Sequence, residues 1–333
     1  MSKVRAFAWA AVALALSACA SATAQDERAT SAERAAECLP EGADTRGWSA
    51  RRRMVHAAVC EWAAFGFPTV VVRLTPDDRS NRLPGELALS ETLSEAVAPS
   101  VAALPDVRQA AEVQVRFGRT ESDLAVYERI AAYWRATSPG YARAVEAAGR
   151  ERPRLRPGWW TAWSAAFTSW ALREAGVDWI PADDNHSVYL RGALQARPVA
   201  VTAIERYRPV AGDLVCLPRL SPEGPPDARA GSAGFIERLR SGPSFPAHCD
   251  IVVRRNDRSV VVIGGNVKNA VTATVVPLDA RGRLVRTSVR PWTVAVSLGE
   301  PADPCARIEA VTAPGWDAPA VAAARRRALG RSC

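Results

Sequence analysis

Between Pro157-Gly158 and Gly176 runs a segment that few folds can accommodate, Trp159-Trp160-Thr161-Ala162-Trp163-Ser164-Ala165-Ala166-Phe167-Thr168-Ser169-Trp170-Ala171-Leu172-Arg173-Glu174-Ala175. It contains no β-branched run, Ser164 can cap its start, and Gly176 stands where a left-handed C-terminal cap falls. A helix with apolar residues on nearly every side has no surface position open to it and must be enclosed. The rest of the chain therefore has to supply a core around it.

Two further helices are expected. Residues 51–65 carry Met54, Val55, Ala58, Val59 and Trp62 on or near one face, and residues 122–136 repeat Leu124, Tyr127, Ile130 and Trp134 before Ser138-Pro139-Gly140 ends the run. After residue 205 the pattern changes to short β-rich runs at 213–217, 249–254, 260–264, 271–276 and 293–298, with Asn256-Asp257 as a hairpin turn. The Pro/Gly-rich stretch 218–246 is too long for a tight turn and reads as a surface insertion. Residues 75–105 carry scattered prolines and no assignable pattern. Helices followed by an antiparallel sheet make an α+β domain. Several of the 11 tryptophans cluster between Trp134 and Trp179. A core of large aromatics is the plain explanation, and an aromatic-lined cleft is the sharper one.

The N-terminus speaks to location. Lys3 and Arg5 precede an apolar run at residues 6–16, too short to span a bilayer, and Leu16-Ser17-Ala18-Cys19 follows. Small residues before a cysteine resemble a bacterial lipobox, in which Cys19 becomes the lipidated first residue. Cleavage after Ala22-Thr23-Ala24 is the alternative and would release a soluble protein. The expected organisation is a signal peptide at 1–18, a tether at 19–48, one α+β domain at 49–300, and a tail with a basic helix at 301–333. The expected place is the cell envelope, periplasmic and lipid-anchored to a membrane, or secreted on the alternative.

Net charge is +8, and loss of Lys3 and Arg5 leaves about +6. The arginines are dispersed and no nucleic-acid motif accompanies them, so the partners expected are a cell-wall peptide or other envelope polymer and, through the N-terminal lipid, a membrane. Six cysteines follow Cys19: Cys38, Cys60, Cys216, Cys249, Cys305 and Cys333. An even number in an exported chain suggests disulfides. No CxxC spacing occurs and there are three histidines, so no metal site and no cofactor are expected.

Four motifs stand in order: Trp163-Ser164-Ala165-Ala166-Phe167, Gly212-Asp213-Leu214-Val215-Cys216, His248-Cys249-Asp250-Ile251-Val252-Val253 and Ile263-Gly264-Gly265-Asn266-Val267. They resemble the family catalogued as domain of unknown function 2272, and more broadly the NlpC-type and CHAP branch of the papain-like superfamily. Cys60-Glu61-Trp62-Ala63-Ala64-Phe65-Gly66 is similar to that family's first helix. The resemblance implies a papain-like domain, N-terminal helices followed by a small antiparallel β-sheet or half-barrel. It also implies hydrolysis of peptide or amide bonds in bacterial cell walls. Carried onto this chain, the nucleophile is Ser164, the base His248 and the orienting residue Asn266, with His186 and Trp163 lining the substrate cleft.

Ser164 stands where the wider superfamily has cysteine. A thiolate can persist beside an imidazolium, whereas a serine hydroxyl must lose its proton during attack. Two functions stay open: a Ser-His-Asn amide hydrolase, or an inactive domain that binds or scaffolds without cutting. An acyltransferase or lipid-modifying enzyme is a third class. Cys216 follows the Gly-Asp-Leu-Val strand, whose neighbour in such folds is the His248 strand, and a Cys216–Cys249 disulfide is expected there. Cys38–Cys60 and Cys305–Cys333 are the remaining pairs by proximity in sequence.

Overall fold

The computed structural model describes residues 47–74, 111–137, 140, 143, 162–219, 231–287 and 289–305. Cys19, the expected signal peptide, most of the tether and the basic tail lie outside them. The elements run α1 (Ala50–Ala64), β1 (Thr69–Leu74), β2 (Ala111–Arg116), α2 (Tyr127–Thr137), α3 (Ser164–Glu174), α4 (His186–Gln195), β3 (Ala200–Ala203), β4 (Leu214–Pro218), α5 (Gly231–Ser241), β5 (Ala247–Arg255), β6 (Ser259–Val267), β7 (Ala270–Pro277) and β8 (Val294–Ser297). The domain is α+β. Among the described residues it holds five α-helices and one eight-stranded sheet, ordered β2-β1-β7-β6-β5-β4-β8-β3.

This sheet is larger than the small one expected, and it is mixed. β1 pairs parallel with β7 and antiparallel with β2, while β4 through β7 form an antiparallel run. The stretch 218–246 is not wholly loop, since α5 stands inside it.

The sheet has two unlike faces. Leu214, Cys216, Cys249, Ile251, Val253 and Ile263 pack with Trp62, Tyr133, Phe167 and Leu172 of α1, α2 and α3. Val215, Leu217, Val252, Val260, Val262 and Ala295 form a second core with Trp292 and Ile204 on the other side. The alternation follows directly from the period of two along each strand. α3 is enclosed as its composition requires: every residue from Ser164 to Ser169 is buried. Gly176 follows it with φ of 72°, the left-handed stop that the sequence signalled. At the far edge, Lys268 and Asn269, both left-handed, turn β6 into β7.

Cys216 and Cys249 face each other across β4 and β5, with Cα atoms 4.1 Å apart, and are joined by a disulfide. Cys60 and Cys305 are disulfide-bonded as well. Cys38 and Cys333 lie outside the described residues. Alkylation of the unfolded, unreduced protein is expected to leave these four cysteines unmodified, as read by intact mass; adducts at Cys216 or Cys249 would contradict the pairing.

Candidate active site

Ser164 is the first helical residue of α3, after Trp163. Trp163 contributes no side-chain cap, so the first-turn N–H groups keep the positive end of the helix dipole directed at Ser164. The Trp163 ring itself is fully buried, stacked on Phe65 and tilted against Tyr133, and its Nε1 donates to Glu121 Oε2 at 2.6 Å. It is a core residue that fixes the start of α3, not the cleft wall that its position beside Ser164 suggested.

The imidazole against Ser164 is that of His186. Asn185 caps α4 by accepting from Ser187 N, and this places His186 at the first position of α4, buried, with Nε2 at 2.8 Å from Ser164 Oγ. His186 Nδ1 lies 2.5 Å from the Tyr189 hydroxyl, so one ring nitrogen faces Ser164 and the other faces Tyr189. In the Nδ1–H tautomer, with Nδ1 donating to Tyr189, Nε2 turns its lone pair to the Ser164 hydroxyl, which is the arrangement a general base requires.

His248 sits differently. Along β5 it alternates with Cys249, and the residue facing the helices is Cys249, held in its disulfide. Across β4 the partner of His248 is Leu217, a residue of the second core. Its ring reaches the site at the end of the sheet, edge-on to His186 with centroids 5.4 Å apart. Arg219 Nη2, which can only donate, lies 3.3 Å from His248 Nδ1, leaving the ring proton on Nε2, 2.8 Å from Asp250 Oδ1. That N–H points off the line to the carboxylate, so the pair is close without a well-aligned hydrogen bond. Nδ1 accepts from Arg219 and Nε2 carries the ring proton, so neither nitrogen presents a lone pair to Ser164.

Asn266 Oδ1 is buried and accepts no hydrogen bond, so it orients neither imidazole through that atom, and its φ of 54° belongs to an irregularity between Gly264 and Val267. Asparagine tolerates this left-handed backbone, which gives the residue a conformational role. The two preceding glycines are steric necessities. A Cβ on Gly264 would sit 1.8 Å from Asp250 Oδ1, and one on Gly265 would meet Phe167 of α3 at 2.5 Å. The Gly-Gly-Asn signature therefore makes room for Asp250 on one face and α3 on the other.

A family model described as an uncharacterized protein conserved in bacteria, domain of unknown function 2272, matches residues 121–304, more than half of the chain. The chain belongs to this family. No curated protein and no solved structure matches it. The matched residues of this DUF2272 chain span Ser164, His186, Tyr189, His248, Asp250 and Asn266, so the whole site lies within the family domain.

Sequence reasoning placed His186 beside the cleft and missed Tyr189, Asp250 and Arg219. One signal for α4 was available, the Asn185 cap before an apolar run. The Ser164–His186 contact has no sequence signature, because it depends on how α3 and α4 cross.

Burial sets the electrostatics. Desolvation, followed by the neighbouring His248 and Arg219, holds the His186 pKa well below the ordinary 6.5, and desolvation also lowers that of His248 despite the opposing pull of Asp250. Both rings are therefore neutral at neutral pH. Above 6.5 neither the native nor the unfolded state protonates them. Below 6.5 the unfolded chain takes up protons that the native site refuses, so stability falls as the pH drops toward the native values. Replacement of both histidines with glutamine is expected to flatten this acid limb of a pH–stability curve, measured by chemical denaturation. A limb unchanged by that replacement would contradict it.

Proposed function

We propose that this DUF2272 chain is an exported, lipid-anchored envelope hydrolase that cleaves an amide bond of a cell-wall peptide, on a papain-like arrangement with serine as nucleophile. The observation that carries this reading is the Ser164 Oγ to His186 Nε2 hydrogen bond at 2.8 Å, with the Tyr189 hydroxyl 2.5 Å from the other ring nitrogen. Ser164 attacks the carbonyl carbon while His186 Nε2 removes its proton, and the resulting imidazolium returns that proton to the leaving amine. The uncapped N–H groups at the start of α3 are the donors available to the oxyanion. A water, activated by the same His186, then releases the acyl group and restores Ser164. The base in this reading is His186, in place of the His248 that the family resemblance suggested.

The lowered His186 pKa supports the role, since the ring is in its basic form throughout the neutral range. The acid limb of the rate profile is expected below 6.5 for the same reason. Export and lipid attachment rest on Lys3, Arg5, the apolar run and Leu16-Ser17-Ala18-Cys19. Incubation of the mature protein with muropeptides, followed by mass spectrometry, tests the activity: new amine and carboxylate termini are expected with wild type and not with Ser164→Ala.

A second reading has one observation in its favour. Ser164 is 2 % and His186 4 % exposed, which suits a domain that retains the fold and binds envelope polymer without cutting it. Muropeptide binding with no cleavage by wild type would select that reading.

A further inference from the structure

Next to the Ser164–His186 pair the structure gathers more positive charge than it neutralises. Arg219, at the end of β4, and Arg290, ahead of β8, approach the same end of the sheet as His248 and Asp250. Both arginines are part-buried, and the Nε of Arg290 is fully so. Arg219 donates to a neutral histidine, and Arg290 Nη1 makes a long 3.4 Å contact with the Val289 carbonyl; among the described residues neither lies within ion-pair distance of a carboxylate. Burial lowers the Arg219 pKa first, and the Arg290 charge lowers it further. Arg290 is lowered by burial as well, against the pull of Asp250.

Two part-buried cations beside a single carboxylate carry a desolvation cost that a further anion would relieve. The single carboxylate among these groups is Asp250, 0 % exposed, with both oxygens lacking a hydrogen bond. Two guanidinium charges against one carboxylate leave an excess of one positive charge. The Nε–H of Arg290 is an unused donor, and Asp250 offers unused acceptors. A group carrying one negative charge beside an N–H donor satisfies both deficits. That description fits the C-terminal residue of a peptide, or any N-acyl amino acid. A phosphate dianion would overcompensate the charge and bring no donor.

We propose that Arg219 and Arg290 form a subsite for the free carboxylate of an N-acyl amino acid or peptide, adjoining Ser164 through the His248–His186 contact. His248 is then a positioning residue: it orients Arg219 through Nδ1 and separates the anion subsite from the base. The assignment deepens the hydrolase reading and rests on it for the claim that the bound molecule is a substrate; the binding itself is independent of turnover.

Isothermal titration of the Ser164→Ala protein with N-acetylglycine, N-acetylglycinamide and inorganic phosphate tests it. The acid is expected to bind at least about tenfold more tightly than the amide, the size of one charge-assisted contact. Arg290→Met is expected to erase that preference, and Arg290→Lys to retain part of it. Without ligand, Arg290→Met is expected to melt at or above the temperature of its parent, because an unpaired buried cation has been removed. Equal affinity for acid and amide, including no binding of either, overturns the subsite. Tighter binding of phosphate, a preference that survives Arg290→Met, or a melting temperature several degrees lower in Arg290→Met also overturns it. Since the titration uses Ser164→Ala, its failure leaves the hydrolase reading standing, and an inactive wild type leaves the titration valid.

Discussion

His186→Ala is expected to lower the rate of amide cleavage by about four to six orders of magnitude, a loss comparable to that from Ser164→Ala, because nucleophile and base act as one unit. His248→Ala is expected to cost far less, on the order of ten- to a hundredfold, through misplacement of Arg219. The asymmetry follows from the hydrogen-bond network. His186 Nε2 lies 2.8 Å from the serine hydroxyl, while His248 Nδ1 accepts from Arg219 and its Nε2 faces Asp250 Oδ1. Tyr189→Phe removes the hydroxyl that His186 Nδ1 meets, and with it the partner that the Nδ1–H form of the proposed base needs. A loss of about a hundredfold or more, without a matching drop in melting temperature, is the expected result. Steady-state kinetics on a muropeptide substrate read all three, and equal losses for His186→Ala and His248→Ala would contradict the assignment.

Arg51→Met or Asp213→Asn is expected to destabilise the domain by about 3–5 kcal/mol, a large part of the roughly 5–15 kcal/mol that holds a domain of this kind together. Arg51 and Asp213 are 1 % and 0 % exposed and lie 2.6 Å apart. The guanidinium also donates to Ala211 O, Ser297 Oγ and Glu300 O, tying α1 to the turn before β4 and to the end of β8. Asp213 accepts in addition from Val210 N and Tyr207 Oη. Removing either partner strands the other charge in a site without water. Replacing both, as Arg51→Met with Asp213→Leu, removes the stranded charge and is expected to recover part of the loss. Urea denaturation monitored by tryptophan fluorescence measures each; a cost below about 1 kcal/mol for the single variants would show that the pair is not the clamp described.

The Gly-Asp of the Gly-Asp-Leu-Val motif is explained by this clamp. Gly212 has φ of 86°, and a Cβ there would lie 2.6 Å from Arg51 Cβ. The motif is thus a packing and charge-pairing device that anchors the first helix, and none of its atoms takes part in the chemistry proposed for Ser164.

Where local pattern and burial agree, the fold was readable in advance. α1 lies within a residue of the expected 51–65, α2 and α3 end within two residues of the expected 136 and 176 but begin five residues later than 122 and 159, and the strands from β4 onward match the β-rich runs. The Asn256 turn joins β5 to β6 as anticipated, with Asn256 N donating to Ser259 O. What escaped were β1 and β2. Thr69-Val70-Val71-Val72 lies directly between Pro68 and a proline-rich stretch, and a run of six residues does not announce a parallel pairing with a strand two hundred residues later. Ala111–Arg116 alternates in the manner of an edge strand, but its partner is β1, so each went unrecognised with the other.

The site was half readable for a related reason. Ser164, His186 and His248 are all at its centre, yet which histidine meets the serine depends on strand phase. The period of two turns Cys249 toward the helices and His248 away, and the Cys216–Cys249 disulfide locks that phase. Order along the chain carries no information about phase, so motif order alone favoured His248. Asp250 and the two arginines were hidden because their significance lies in where the packing gathers them, which only the folded structure reveals.

The account stands on Ser164 and His186 forming a working nucleophile–base pair. The direct measurement is labelling by a fluorophosphonate probe, with the adduct mapped by peptide mass spectrometry in wild type, Ser164→Ala, His186→Ala and His248→Ala. A single adduct on Ser164 is predicted, absent from Ser164→Ala, strongly reduced in His186→Ala and retained in His248→Ala. Labelling that survives Ser164→Ala, or that depends on His248 and not on His186, would contradict it.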